Sequence, residues 1–90
     1  MKRSRLDVCI EVLKVINRGS SKPTRIMYKS NISWVPLAKI LKFLEDNGNI
    51  IAEDTGNRKT YYITEKGKNI LRYHQQFMTM LTEETGSLPA

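Results

Sequence analysis

Asn49-Ile50-Ile51-Ala52-Glu53-Asp54-Thr55-Gly56-Asn57-Arg58-Lys59-Thr60-Tyr61-Tyr62-Ile63-Thr64 is the stretch where the chain changes period. Residues 49–54 lead from Ile50 and Ile51 into acidic positions. Residues 59–64 hold Thr60, Tyr61, Tyr62 and Ile63, whose branched or aromatic side chains fit a pleated surface. The tip between them, Thr55-Gly56-Asn57-Arg58, is rich in turn formers. Two short runs around a glycine-containing loop predict a β-hairpin.

Upstream the spacing is helical. Leu6, Cys9, Ile10, Leu13 and Ile16 form an apolar stripe, closed by Arg18 and Gly19. Pro23 suits the start of a second helix over 24–29, where its missing N–H is not needed, with Ile26 and Met27 inward. Asn31 or Ser33 can cap a third helix from Trp34 to Asp46, whose inward stripe is Leu37, Ile40, Leu41 and Leu44. Asn47-Gly48 ends it. Downstream, Thr64 is a suitable N-cap for a last helix reaching about Glu83. The expected order is therefore α-α-α-β-β-α, mainly α with one β-hairpin. Its common small solution is a winged helix-turn-helix with a long C-terminal helix. The expected organisation is a winged-helix domain over 1–64, a dimerisation helix over 65–84 and a frayed tail over 85–90.

Ninety residues and 10.4 kDa make a two-domain enzyme improbable. With one cysteine, Cys9, and one histidine, His74, neither an internal disulfide nor a four-ligand zinc site can be assembled. No apolar run is long enough to span a bilayer, and charges interrupt the stretch behind the basic N-terminus, so a cytoplasmic, nucleoid-associated protein is expected. Ser20-Ser21 lacks a base, Glu45-Asp46 and Glu83-Glu84 assemble no carboxylate pair, and no glycine-rich phosphate loop occurs. No enzyme and no cofactor is expected.

The charge is unevenly placed. Fifteen lysines and arginines oppose nine acids, for a formal +6. The first 42 residues hold ten of those cations against only Asp7 and Glu11, which points to a polyanion on one face. On a helical wheel Val35, Lys39 and Lys42 face away from the third helix's inward stripe. Asn31, Ser33 and Trp34 stand at its entrance, although Trp34 also suits a position flanking the core. Arg25 and Lys29 lie one turn apart on the second helix, with Lys22 ahead of them, and Arg58 and Lys59 sit at the hairpin tip. Val35 aside, these ten residues form the candidate surface for double-stranded DNA. The plainer alternatives are solvated helix lysines at 39 and 42, and solubilising edge charges at 58 and 59.

Pro23-Thr24-Arg25-Ile26-Met27-Tyr28-Lys29-Ser30-Asn31, Leu41-Lys42-Phe43-Leu44-Glu45-Asp46-Asn47-Gly48 and Tyr61-Tyr62-Ile63-Thr64-Glu65-Lys66-Gly67 together give the chain a family likeness. It resembles small archaeal winged-helix DNA-binding proteins with a C-terminal, antiparallel coiled-coil helix. The Thr-Glu-Lys-Gly element is common to many winged helices, and the Thr-Arg-Ile-Met-Tyr segment is the more telling. The resemblance implies a chromatin-associated or regulatory DNA-binding protein that dimerises through its last helix.

Two helices also show apolar surplus. Val8, Val12 and Val15 lie opposite the first helix's stripe. Ile70, Tyr73, His74, Phe77, Met80 and Leu81 share a broad face of the last helix. Together they form the expected homodimer interface, with His74 packed there rather than acting as a base. The alternatives are that the last helix folds back over the valines within one chain, and that the scaffold is a protein-interaction module without DNA contact.

Overall fold

The computed structural model describes residues 4–85, with side chains as far as Thr82. Lys2, Arg3 and the end of the anticipated tail, 86–90, lie outside the described residues. The elements are α1 (Arg5–Asn17), α2 (Pro23–Ser30), α3 (Trp34–Asp46), β1 (Ile50–Thr55), β2 (Arg58–Ile63) and α4 (Glu65–Thr85). This is the order expected from the sequence, mainly helical with a single antiparallel hairpin.

A reciprocal cap starts α1. The Ser4 hydroxyl accepts from the Asp7 N–H at 3.1 Å, while the Asp7 carboxylate accepts from the Ser4 N–H at 3.2 Å. From there α1 runs through the middle of the molecule, packing against α2, β2 and α4. That central position corrects two expectations. Val12 and Val15, assigned to the dimer interface, are 0% and 2% exposed within this single chain and belong to its own core, with Val8 packed partly against them. A helix with neighbours on both sides buries both of its apolar stripes. Leu6, expected in the core stripe, is instead 69% exposed, in the first turn.

The core is completed by Ile26 from α2, Leu37, Leu41 and Leu44 from α3, and Ile50 and Tyr61 from the hairpin. Each aliphatic side chain so enclosed contributes roughly 1.5–3 kcal/mol relative to exposure. Asn31, in the left-handed region at φ 56, ends α2, and its N–H reaches the Met27 carbonyl. Three residues, 31–33, then separate the two helices. Ser33 occupies the N-cap position of α3, but its side chain makes no cap hydrogen bond.

In the hairpin Ile50 faces Ile63 and Thr55 faces Arg58, leaving a two-residue loop. Gly56 takes φ 66 and Asn57 does not have a positive φ, the pattern of a type II′ turn. Two fastenings hold this hairpin against the helices. The Tyr61 N–H donates to the Ser21 carbonyl at 2.8 Å, tying β2 to the loop before α2. At the other end, Thr64 N–H donates to the Asn49 carbonyl at 3.1 Å, and Thr64 Oγ1 donates to the Gly48 carbonyl at 2.6 Å. The same hydroxyl accepts from Gly67 N–H at 3.1 Å, so Thr64 caps α4 as its position suggested. Lys66 Nζ donates to the Asn47 carbonyl at 2.7 Å.

Gly67 is buried in this joint. A Cβ there would stand 2.3 Å from the Asn49 carbonyl oxygen and 2.7 Å from Ile63 Cγ1. Backbone on one side and a core side chain on the other leave no cheap way to yield. Gly67→Ala is therefore expected to destabilise the fold by about 1–3 kcal/mol despite alanine's better helix propensity, read from the urea midpoint at fixed protein concentration.

Candidate nucleic-acid interface

Helix α3 determines how the candidate residues are arranged. With Leu37, Ile40, Leu41 and Leu44 buried on one side, the opposite side presents Val35, Lys39 and Lys42, all exposed. One flank, carrying Trp34, Ala38 and Glu45, turns towards the hairpin; the other, carrying Pro36 and Phe43, turns towards α1.

Between α3, the start of α2 and the hairpin runs an open cleft of about 660 Å³. Lys22, Trp34, Lys42, Arg58 and Lys59 line it together, although they come from three separate segments of the sequence. Among the described residues Glu45 is the single acid that lines it. Trp34 is 49% exposed here, neither enclosed in the core nor fully in solvent. Lys42 Nζ lies 3.6 Å from Asp46 Oδ2, but both side chains are well exposed, so the pair is weak and leaves the lysine open to a stronger anion.

Tyr61 also lines the cleft from its buried position. Burial pushes its phenol above the usual tyrosine range; the Lys59 charge pulls the other way, and Glu45 and Asp54 push it further up. The phenol therefore stays neutral at pH 7 and adds no negative charge beneath the cations.

The remaining candidates lie outside the cleft. Arg25, Lys29, Asn31 and Ser33 are exposed on α2 and the turn after it. Lys39 shares the outward side of α3 with Lys42 but lines the groove on the opposite flank. Thr24, Asn57 and Thr60 line the cleft and were not anticipated, since nothing in their local sequence distinguishes them from ordinary turn and strand residues. On α4, Tyr73, Phe77 and Met80 are exposed, while Ile70, His74 and Leu81 are half-buried. Among the described residues no group of acids, histidine and cysteine could hold a metal ion, and no helix is long and apolar enough to cross a membrane.

The chain is similar to known proteins. The uncharacterized protein MJ0287 of Methanocaldococcus jannaschii is 38% identical over 69 residues, covering 77% of this chain and 67% of that protein. The crystal structure of Sso10a-2, a DNA-binding protein from Sulfolobus solfataricus, superimposes with a TM-score of 0.78 at 25% identity, covering 93% of this chain and 87% of that one. F93 from STIV, a winged-helix DNA-binding protein, gives 0.68 at 22% identity over 84% of this chain and 90% of its own.

Ionisation of Tyr61 bears on alkaline stability. A phenol whose folded-state value is raised contributes stability that is whole below the unfolded tyrosine value, about pH 10, and is lost as pH climbs through the folded one. Tyr61→Phe should thus flatten the alkaline fall in urea midpoint relative to the parent chain. The winged helix-turn-helix family model matches residues 2–82, and the chain belongs to that family.

Proposed function

We propose that this protein binds duplex DNA as a homodimer, with α3 at the major groove and the hairpin as a wing against the neighbouring backbone. The observation that carries this reading is the meeting of Lys22, Lys42, Arg58 and Lys59 in one cleft beside the outward side of α3. Four cations with one intervening acid attract a polyanion, and the flanking helix has the diameter that a major groove admits. Arg25 and Lys29 extend the positive surface along α2, where a helix-turn-helix crosses phosphates. Asn31 and Ser33 stand at the helix entrance, within the same approach. Sso10a-2 and F93, both described as DNA-binding proteins, support the reading.

The residue types favour shape over base identity. Guanine is read best by arginine and adenine by asparagine or glutamine, whereas the outward side of α3 offers Val35, Lys39 and Lys42. Phosphate attraction and groove geometry then supply most of the affinity, which suits an architectural protein or a regulator of modest specificity. Arg58 at the wing suits a narrow minor groove for the same reason.

Dimerisation is assigned to α4. Tyr73, Phe77 and Met80 are 69%, 60% and 61% exposed on one side of this helix, an apolar stripe that water covers poorly. Pairing of two α4 helices would bury it, with Ile70, His74 and Leu81 at its margin. Phe77→Glu should convert the dimer to a 10.4-kDa species in sedimentation at micromolar concentration.

With about five to eight phosphates neutralised, log affinity for a duplex should fall against log salt with a slope of roughly −4 to −7. Arg58→Ala, Lys59→Ala and Lys42→Ala should each make that slope shallower by about 0.9 and weaken binding alike on unrelated sequences. A slope near zero for the parent chain would refute the DNA reading.

A further inference from the structure

Trp34 is the chain's one tryptophan, and it stands in the first turn of α3 on the wall of the basic cleft. It is 49% exposed, although an indole is large and apolar and a small fold gains most by enclosing it. Ala38, one turn on along the same side of α3, brings only a methyl group to the cleft wall. Lys22, Arg58 and Lys59 line the cleft from the start of α2 and from the hairpin, and Lys42 lies two turns along α3. Glu45, the one lining acid among the described residues, is three turns from Trp34, a rise of ~16 Å. The indole end of the cleft is therefore the cationic end.

An exposed aromatic face among cations is the combination that holds unpaired nucleotides. The cations neutralise the phosphates on either side, and the base itself covers the ring. An intact duplex supplies the phosphates but not the base face. Each of its bases is already covered above and below by its neighbours, and its grooves show only base edges. The cleft of about 660 Å³ has room for one nucleotide. We infer that this cleft takes a single unpaired nucleotide of a DNA strand, its base stacked on Trp34 and its flanking phosphates held by Lys22, Arg58 and Lys59. The protein then prefers DNA that carries an unpaired base over the same DNA fully paired.

This rests on the proposed nucleic-acid reading of the same cleft and narrows it to one class of DNA. The paired arms beside the open nucleotide still meet Arg25, Lys29 and Lys39 through charge, so an intact duplex is bound as well, with lower affinity. Taking a base out of a paired site costs both pairing and stacking, and the cost is least where the nucleotide has no partner, as in a bulge. The preference thus follows the defect in the DNA and not its sequence. That agrees with Val35, Lys39 and Lys42 on the outward side of α3, none of which is a strong reader of base edges.

The test compares binding of the full chain to three short duplexes of one sequence. One is fully paired, one carries a single unpaired thymine as a bulge, and one carries an abasic bulge that keeps the extra phosphate without a base. With one tryptophan in the chain, its emission reports on Trp34 alone. The thymine bulge is expected to bind about tenfold tighter than the paired duplex, the order that one stacked base supplies, and to quench that emission. The abasic bulge should show neither effect. Trp34→Ala should abolish the preference with affinity for the paired duplex unchanged, and Trp34→Phe, which keeps a ring, should retain part of it. A preference that the abasic bulge shares overturns the inference, because bendability and not stacking is then its cause. So does a folded Trp34→Ala chain that loses affinity for all three duplexes alike, which makes the indole a support of the cleft wall. Equal binding of all three by the parent chain, with the salt slope given above, overturns this inference and leaves the duplex reading standing. Binding of the thymine bulge with no affinity for the paired duplex supports it and refutes the duplex reading instead.

Discussion

The joint between the end of α3 and the start of α4 fixes where everything charged ends up. The Asn49 carbonyl accepts from Thr64 N–H and leaves space only for a glycine at 67, so α4 must begin directly against the exit of α3. The hairpin leaves and returns at that one point, through Ile50 paired with Ile63. Its position is set a second time by the hydrogen bond from Tyr61 N–H to the Ser21 carbonyl. These are mostly main-chain contacts, short and directional, and they leave the surface side chains free to vary. Arg58 and Lys59 at the tip therefore reach the same cleft as Lys22 and Lys42.

Much of this fold was legible in the chain itself. The bounds of α3 follow from Ser33 at its entrance and Asn47-Gly48 at its exit, and the structure gives Trp34–Asp46. The hairpin was legible through its run of threonine and tyrosines, although each strand lies one residue closer to the tip than spacing suggested, because the type II′ turn closes over two residues. Other features depend on which element lies alongside. The sequence of α1 displays two apolar stripes, but only its neighbours determine that both are buried within one chain and that Leu6 lies beyond their reach. Thr64 and Gly67 stood out as a motif; the reason for the glycine, a carbonyl from a residue 18 positions earlier, is a tertiary contact with no local signature.

The same limit applies to the candidate site. A helical wheel puts Lys39 and Lys42 on one side of α3, and they are there. It does not show that the hairpin takes one flank and α1 the other, so that Lys42 borders the basic cleft and Lys39 the apolar groove. That division gives the helix two unlike sides. Its wing side concentrates positive charge, while its far side borders an apolar groove.

Backbone amide chemical shifts during titration with a short random duplex test the central claim most directly, because they report every segment at once. The expected changes cluster at residues 22–25, 33–42 and 57–60, with the outer half of α4 unaffected at low DNA ratios. Changes concentrated on α4, or on α1 with the hairpin tip silent, would contradict it.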